Sequence, residues 1–199
     1  MKSYTITKMN GAPDWKQIPA LQIDTVYQSA DIRAWAKLCW DESGIYAYLQ
    51  ADEENIRAEE NGVLGQVYQD SCLEFFIRPT QALPYFNFEW NPNGKVYLGF
   101  GTNISNLIRL AVPDEQKMFR PQPFRTEKGW GITFFIPFTF IQHFLPHFQA
   151  EEGLHFYGNC YKCGDLTIQP HYYSWNPIDP DDFTFHCPEY FGELILGGK

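Results

Sequence analysis

Apolar and polar residues alternate along most of this chain. From Arg33 to Trp40, Ala34, Ala36, Leu38 and Trp40 share one parity, and Arg33 and Lys37 take the other. Successive side chains on a strand point to opposite faces, so a period of two predicts a half-buried strand. Asp41-Glu42-Ser43-Gly44 interrupts the alternation, which resumes from Ile45 to Asp52 through Ala47, Leu49 and Ala51. Two such runs around a short glycine-containing turn predict a hairpin. The polar stretch from Glu53 to Gln69 lacks periodicity and predicts a long loop, of the length that is usually functional.

The pattern returns at Ser71–Arg78, with Leu73, Phe75 and Ile77 on the apolar side and Cys72, Glu74, Phe76 and Arg78 on the other. A strand opening at Tyr85 turns Phe86, Phe88 and Trp90 inward and leaves Tyr85, Asn87 and Glu89 on its second face. Asn91-Pro92-Asn93-Gly94 is a strong turn signal, and Lys95–Phe100 leads back. Further strands are predicted at Trp130–Ile136, Leu154–Cys163 and Phe191–Leu196, and a short helix at Phe138–Phe144 between Pro137 and Pro146. Many short strands with few helical patterns predict an all-β fold. The expectation is an antiparallel β-sandwich, jelly-roll-like, with one or two short helices and a single domain over residues 1–199. Leu73, Phe75, Phe86, Phe88, Trp90, Ile132 and Phe134 are its expected core.

Composition narrows the partners. The 15 basic and 24 acidic residues leave a formal charge of −9, which repels phosphate backbones and argues against nucleic acid. No apolar run approaches the ~20 residues of a membrane span, so no membrane partner is expected. The amino terminus lacks the apolar stretch of a secretory signal, and a cytoplasmic location is expected unless a leader has been removed. Five cysteines cannot all pair. Cys160 and Cys163, three apart on a strand, point to opposite faces and are expected to be separate free thiols without zinc. His143 and His147 have helical metal-ligand spacing, but Pro146 between them breaks the helix that the pair needs.

The common hydrolase, nucleotide-binding and zincin motifs are absent. What remains is a surplus of aromatics, 18% of the chain, lying next to amides and acids. Sugars present apolar C–H faces and a rim of hydroxyls, which aromatic rings and polar side chains together can hold. Three segments have that character: Tyr68-Gln69-Asp70-Ser71-Cys72-Leu73-Glu74, Tyr85-Phe86-Asn87-Phe88-Glu89-Trp90-Asn91 and His171-Tyr172-Tyr173-Ser174-Trp175-Asn176-Pro177. Each also has a plain structural reading. Tyr68 could cover the edge of the core, Glu74 could pair with Arg78 at the surface, and Trp175 could be a core residue.

At these segments the sequence resembles the family 9 carbohydrate-binding modules. Trp40-Asp41-Glu42-Ser43-Gly44-Ile45-Tyr46, Trp130-Gly131-Ile132-Thr133-Phe134-Phe135-Ile136-Pro137 and Phe185-His186-Cys187-Pro188-Glu189-Tyr190-Phe191-Gly192 fit as well, in the family's order. The resemblance implies a β-sandwich gripping one or two sugar units between two aromatic jaws. Tyr68 and Trp175 match the jaws, and Glu74 a hydrogen-bonding carboxylate. Asn87, Glu89, Asn159 and Lys162 fall on strands of the polar floor. The resemblance also implies structural calcium, with no ligand matched to a residue here. The expected function is therefore non-catalytic binding of a small saccharide or glycan end. The alternative is a glycoside hydrolase using a carboxylate pair such as Glu74 and Glu89, which requires the two groups to stand across a cleft.

Overall fold

A computed structural model of the chain describes residues 1–179, 181 and 183–198. It contains fourteen strands: β1 (Ser3–Lys8), β2 (Leu21–Ile23), β3 (Thr25–Gln28), β4 (Arg33–Asp41), β5 (Gly44–Asp52), β6 (Cys72–Arg78), β7 (Tyr85–Trp90), β8 (Val96–Gly101), β9 (Ile108–Arg109), β10 (Gln122–Arg125), β11 (Gly129–Pro137), β12 (His155–Cys163), β13 (Tyr172–Ser174) and β14 (Gly192–Leu196). Two short helices, α1 (Glu115–Phe119) and α2 (Phe138–Phe144), lie among them. The expected helix at 138–144 is α2, residue for residue, starting directly after Pro137.

The strands run in the order β10-β11-β5-β4-β1-β14-β12-β6-β7-β8-β9. One half, β10 to β4, also carries β2, and the other, β14 to β9, carries β13 and β3. The two halves stack, and the apolar parity of each lines the space between them. All seven expected core residues are buried there, joined by Trp40, Trp130 and Leu194. The sheet is mixed, which corrects the expectation of purely antiparallel pairing. β1 is parallel to both of its neighbours, pairing Ser3–Ile6 with β14 and Thr7–Lys8 with β4. One strand thus passes from one half to the other and ties them by backbone hydrogen bonds.

Between the layers lies a polar inclusion. Lys162 is fully buried, and its Nζ donates to the Cys163 carbonyl at 2.7 Å and to His171 Nε2 at 2.6 Å, and stands 3.3 Å from Glu53 Oε2. Glu53 also accepts from Trp130 Nε1 at 2.8 Å and from Ser71 Oγ at 2.7 Å. Burial and the Lys162 cation hold His171 down at a pKa of about 4, so its ring is neutral. Its Nδ1, 2.8 Å from the Gln169 carbonyl, then carries the proton. The network fastens the Glu53–Gln69 loop, which holds one 3₁₀ turn at Val67–Gln69, against β12.

Candidate functional site

The outer face of the β6–β9 half carries the residues that the core parity excludes. The registers Tyr97↔Glu89, Glu89↔Glu74, Glu74↔Tyr161 and Tyr161↔Ser174 place these side chains in one row across five strands. A second row joins Cys72, Cys163 and Tyr172. Loops rise over both rows and enclose a cleft of about 400 Å³. Glu74 and Glu89 form its floor, only 2% and 3% exposed. Tyr68 and Tyr97 meet edge to face at 5.9 Å on one side, and Arg109 stacks on Tyr97 at 3.9 Å. On the other side Phe185 lies flat on Tyr161 at 4.1 Å, with Tyr172 and Phe183 beside it. Asp165, His186 and Cys163 also line it.

The floor is prepared for a polar ligand. Asn87 Nδ2 donates to Glu89 Oε1 at 2.7 Å, whereas Glu89 Oε2 and Asn87 Oδ1 are buried without a hydrogen-bond partner. An unpaired buried polar atom is costly, and native proteins keep few of them. Burial raises Glu89 to a pKa of about 8. Burial, reinforced by the Cys163 thiol and the Glu89 carboxyl, raises Glu74 well above the usual carboxylate range. Both acids are therefore biased toward the protonated form, in which a carboxyl can donate as well as accept hydrogen bonds. A larger cavity of about 580 Å³ is lined by Pro113, Met118, Phe135 and Phe138, but its charged groups, Glu42, Asp114, Lys117 and Arg120, are all exposed. It lacks a comparable buried polar floor.

Of the residues expected at the site, Tyr68, Glu74 and Glu89 come together in the cleft. Asn87 lies beneath it and braces Glu89. Asn159 is committed elsewhere: its side chain donates to the Asn176 carbonyl at 2.9 Å and accepts from Asn176 N at 2.8 Å, fixing that loop. Lys162 is a correction, since its register opposite Leu73 points it inward, away from the cleft. Trp175 is a second. It is 4% exposed, packs edge to face on Tyr4 at 6.5 Å, and its ring would lie 2.6 Å from a Cβ at Gly192. Trp175 therefore cannot face Tyr68 across a gap. The rings opposite Tyr68 and Tyr97 are Tyr172, Phe183 and Phe185. Tyr172 was open to discovery from sequence, because inward Tyr173 leaves its neighbour on the outer face. Phe183 and Phe185 lie in an irregular loop whose path no local pattern predicts.

Cys160 and Cys163 do diverge as the strand period requires. Cys160 joins the main core and Cys163 the cleft. Cys39, Cys72, Cys160 and Cys163 are free thiols. What the spacing hid is that Cys163 faces Cys72 on the adjacent strand. The calcium implied by resemblance needs several oxygen ligands. Among the described residues the one group of three metal-capable side chains is Cys72, Glu74 and Cys163, and its two thiols do not fit calcium.

The architecture is thus an all-β sandwich with an aromatic cleft over a polar floor. The model of the carbohydrate-binding family 9 matches residues 16–196, and the chain belongs to that family. Among solved structures, it is similar to a crystal structure from Bacteroides uniformis, a protein to which carbohydrate binding is ascribed. That match is 27% identical over 98% of this chain and 99% of the other, with a TM-score of 0.83. It also shares its fold with a family 9 carbohydrate-binding module from Caldicellulosiruptor kristjanssonii in complex with glucose. There the identity is 13%, the coverage 100% and 97%, and the TM-score 0.71. The same organism's module in complex with cellotriose matches at 12% identity over 100% and 95% of the chains, with a TM-score of 0.70. No curated protein matches the sequence.

Proposed function

We propose that the chain binds a saccharide in the cleft above Glu74 and Glu89, without cleaving it. The observation that carries this reading is the unpaired, buried Glu89 Oε2 at the floor of an aromatic-walled cleft, in a chain of a carbohydrate-binding family. Sugar hydroxyls would pair with the floor acids, and the flat faces of Tyr172 and Phe185 would cover the C–H surface. The Caldicellulosiruptor module held glucose and cellotriose, which makes these the first probes. Glu74 and Glu89 sit directly opposite each other on neighbouring strands. They reach a sugar from the same side, whereas glycoside hydrolysis needs one carboxyl on each side of the bond.

The test is an immobilised glycan panel that includes both probes, followed by titration calorimetry on any hit. Wild type should bind at least one glycan, and Tyr172→Ala and Glu89→Gln should each weaken that binding roughly tenfold or more, as loss of a central anchor does. A wild type that binds no glycan, or a hit unchanged in both variants, would overturn the reading.

A further inference from the structure

The outer face holds two thiols that saccharide binding does not require. Cys72 and Cys163 stand directly opposite each other on β6 and β12. The Cys163 thiol reaches Glu74 Oε1 at 2.9 Å, and the two sulfurs and that carboxyl lie within 4.8 Å of one another. All three side chains are buried, and Cys163 and Glu74 open onto the cleft. Glu89 lies opposite Glu74 on β7, and its Oε2 has no hydrogen-bond partner. We propose that Cys72, Cys163 and Glu74, with Glu89 beside them, form a binding site for a thiophilic divalent cation of the zinc type.

The chemistry of the donors selects the cation. Two sulfurs and one or two carboxylate oxygens suit zinc or cadmium and not calcium or magnesium. Donor atoms around tetrahedral zinc stand roughly 3.3–3.8 Å apart, so a pair at the 4.8 Å limit must close by about 1–1.5 Å, while the 2.9 Å Cys163–Glu74 pair must open slightly. Two registered strands hold the ligands, so little chain entropy is lost on closing. The neighbouring cations have other partners: Lys162 projects from the opposite face, and Arg109 stacks on Tyr97. On binding, each thiol and the protonated Glu74 carboxyl give their protons to solvent as the bonds to the metal form, with no change of oxidation state. The ion would lie at the cleft floor with access from the ligand side. The inference does not rest on saccharide binding.

The reduced, metal-free full chain is titrated with cadmium alone, with the ultraviolet thiolate-to-cadmium band as readout and zinc as competitor. No saccharide is present, so this result and that of the glycan panel are separable. One cadmium per chain is expected, displaced by zinc, and it should raise the melting temperature. Cys163→Ala and Cys72→Ala should each abolish the band, and Glu74→Gln should weaken binding roughly tenfold or more. Cys160→Ala, which alters the core thiol of the CxxC spacing, should leave the band intact. If either cleft-thiol variant fails to fold, the other together with Glu74→Gln decides. The proposal is overturned if wild type shows no band, if the band survives loss of Cys163 or Cys72, or if it depends on Cys160.

Discussion

Glu89 has two different neighbourhoods within one carboxyl group. Oε1 is held by Asn87 and Oε2 has no hydrogen-bond partner, and burial raises the group from the ordinary 4.5 to about 8. A folded state that keeps a proton which the unfolded chain releases loses stability as pH rises from about 4.5 to about 8. Glu89→Gln retains an acceptor for Asn87 and removes the titration. Its melting temperature relative to wild type should therefore climb across that interval. Paired thermal melts at several pH values test this, and a constant difference would mean that Glu89 titrates as an ordinary carboxyl. Trp175 belongs to the core instead, and its truncation should leave a large cavity against Tyr4 and Gly192. Trp175→Ala is expected to cost about 3–5 kcal/mol in denaturant unfolding. Tyr172→Ala, on the half-open cleft wall, should cost far less stability while weakening the ligand.

At the scale of elements, adjacent strands convert single residues into a site. β8 must approach β7 closely enough for Asn87 to fit beneath the floor, and Gly99 is what permits it. A Cβ at Gly99 would stand 2.4 Å from Asn87 Oδ1 and 2.9 Å from Leu107. Gly99→Ala should therefore push Asn87 from Glu89, destabilise by about 1–3 kcal/mol as overpacking does, and weaken ligand binding. Binding at wild-type strength in a folded Gly99→Ala variant would show that the Asn87 brace is dispensable. Strand parity made much of this legible beforehand. Leu73, Phe75, Phe86 and Phe88 inward imply Glu74, Asn87 and Glu89 outward, and so they stand. For Asn159 and Lys162 the resemblance assigned both to one floor, although positions three apart on a strand point to opposite faces.

For the whole molecule, β1 is the element that makes two halves one body, because it is hydrogen-bonded to β14 in one and to β4 in the other. Calorimetry should accordingly show one cooperative transition with matching calorimetric and van't Hoff enthalpies. Two separated transitions would mean that the halves unfold independently. Among the described residues no helix is long and apolar enough to cross a membrane.

Local pattern determined the β class, most strand positions, the α2 helix and the inward set of side chains. These depend on a period of two, on proline and on turn residues, all properties of neighbours in sequence. It also marked Glu74 and Glu89 as a pair of outward acids next to aromatic segments. Only the tertiary structure decided which rings face them. Trp175 and Tyr172, three residues apart, fall on opposite faces by strand period alone, but which face becomes core and which cleft wall is set by the layers that pack against β13. Likewise Cys163 has a visible sequence neighbour in Cys160 and a spatial one in Cys72, 91 positions away in the numbering. Pairing register between distant strands is set by how two complete apolar faces meet, and no window of local sequence contains that information.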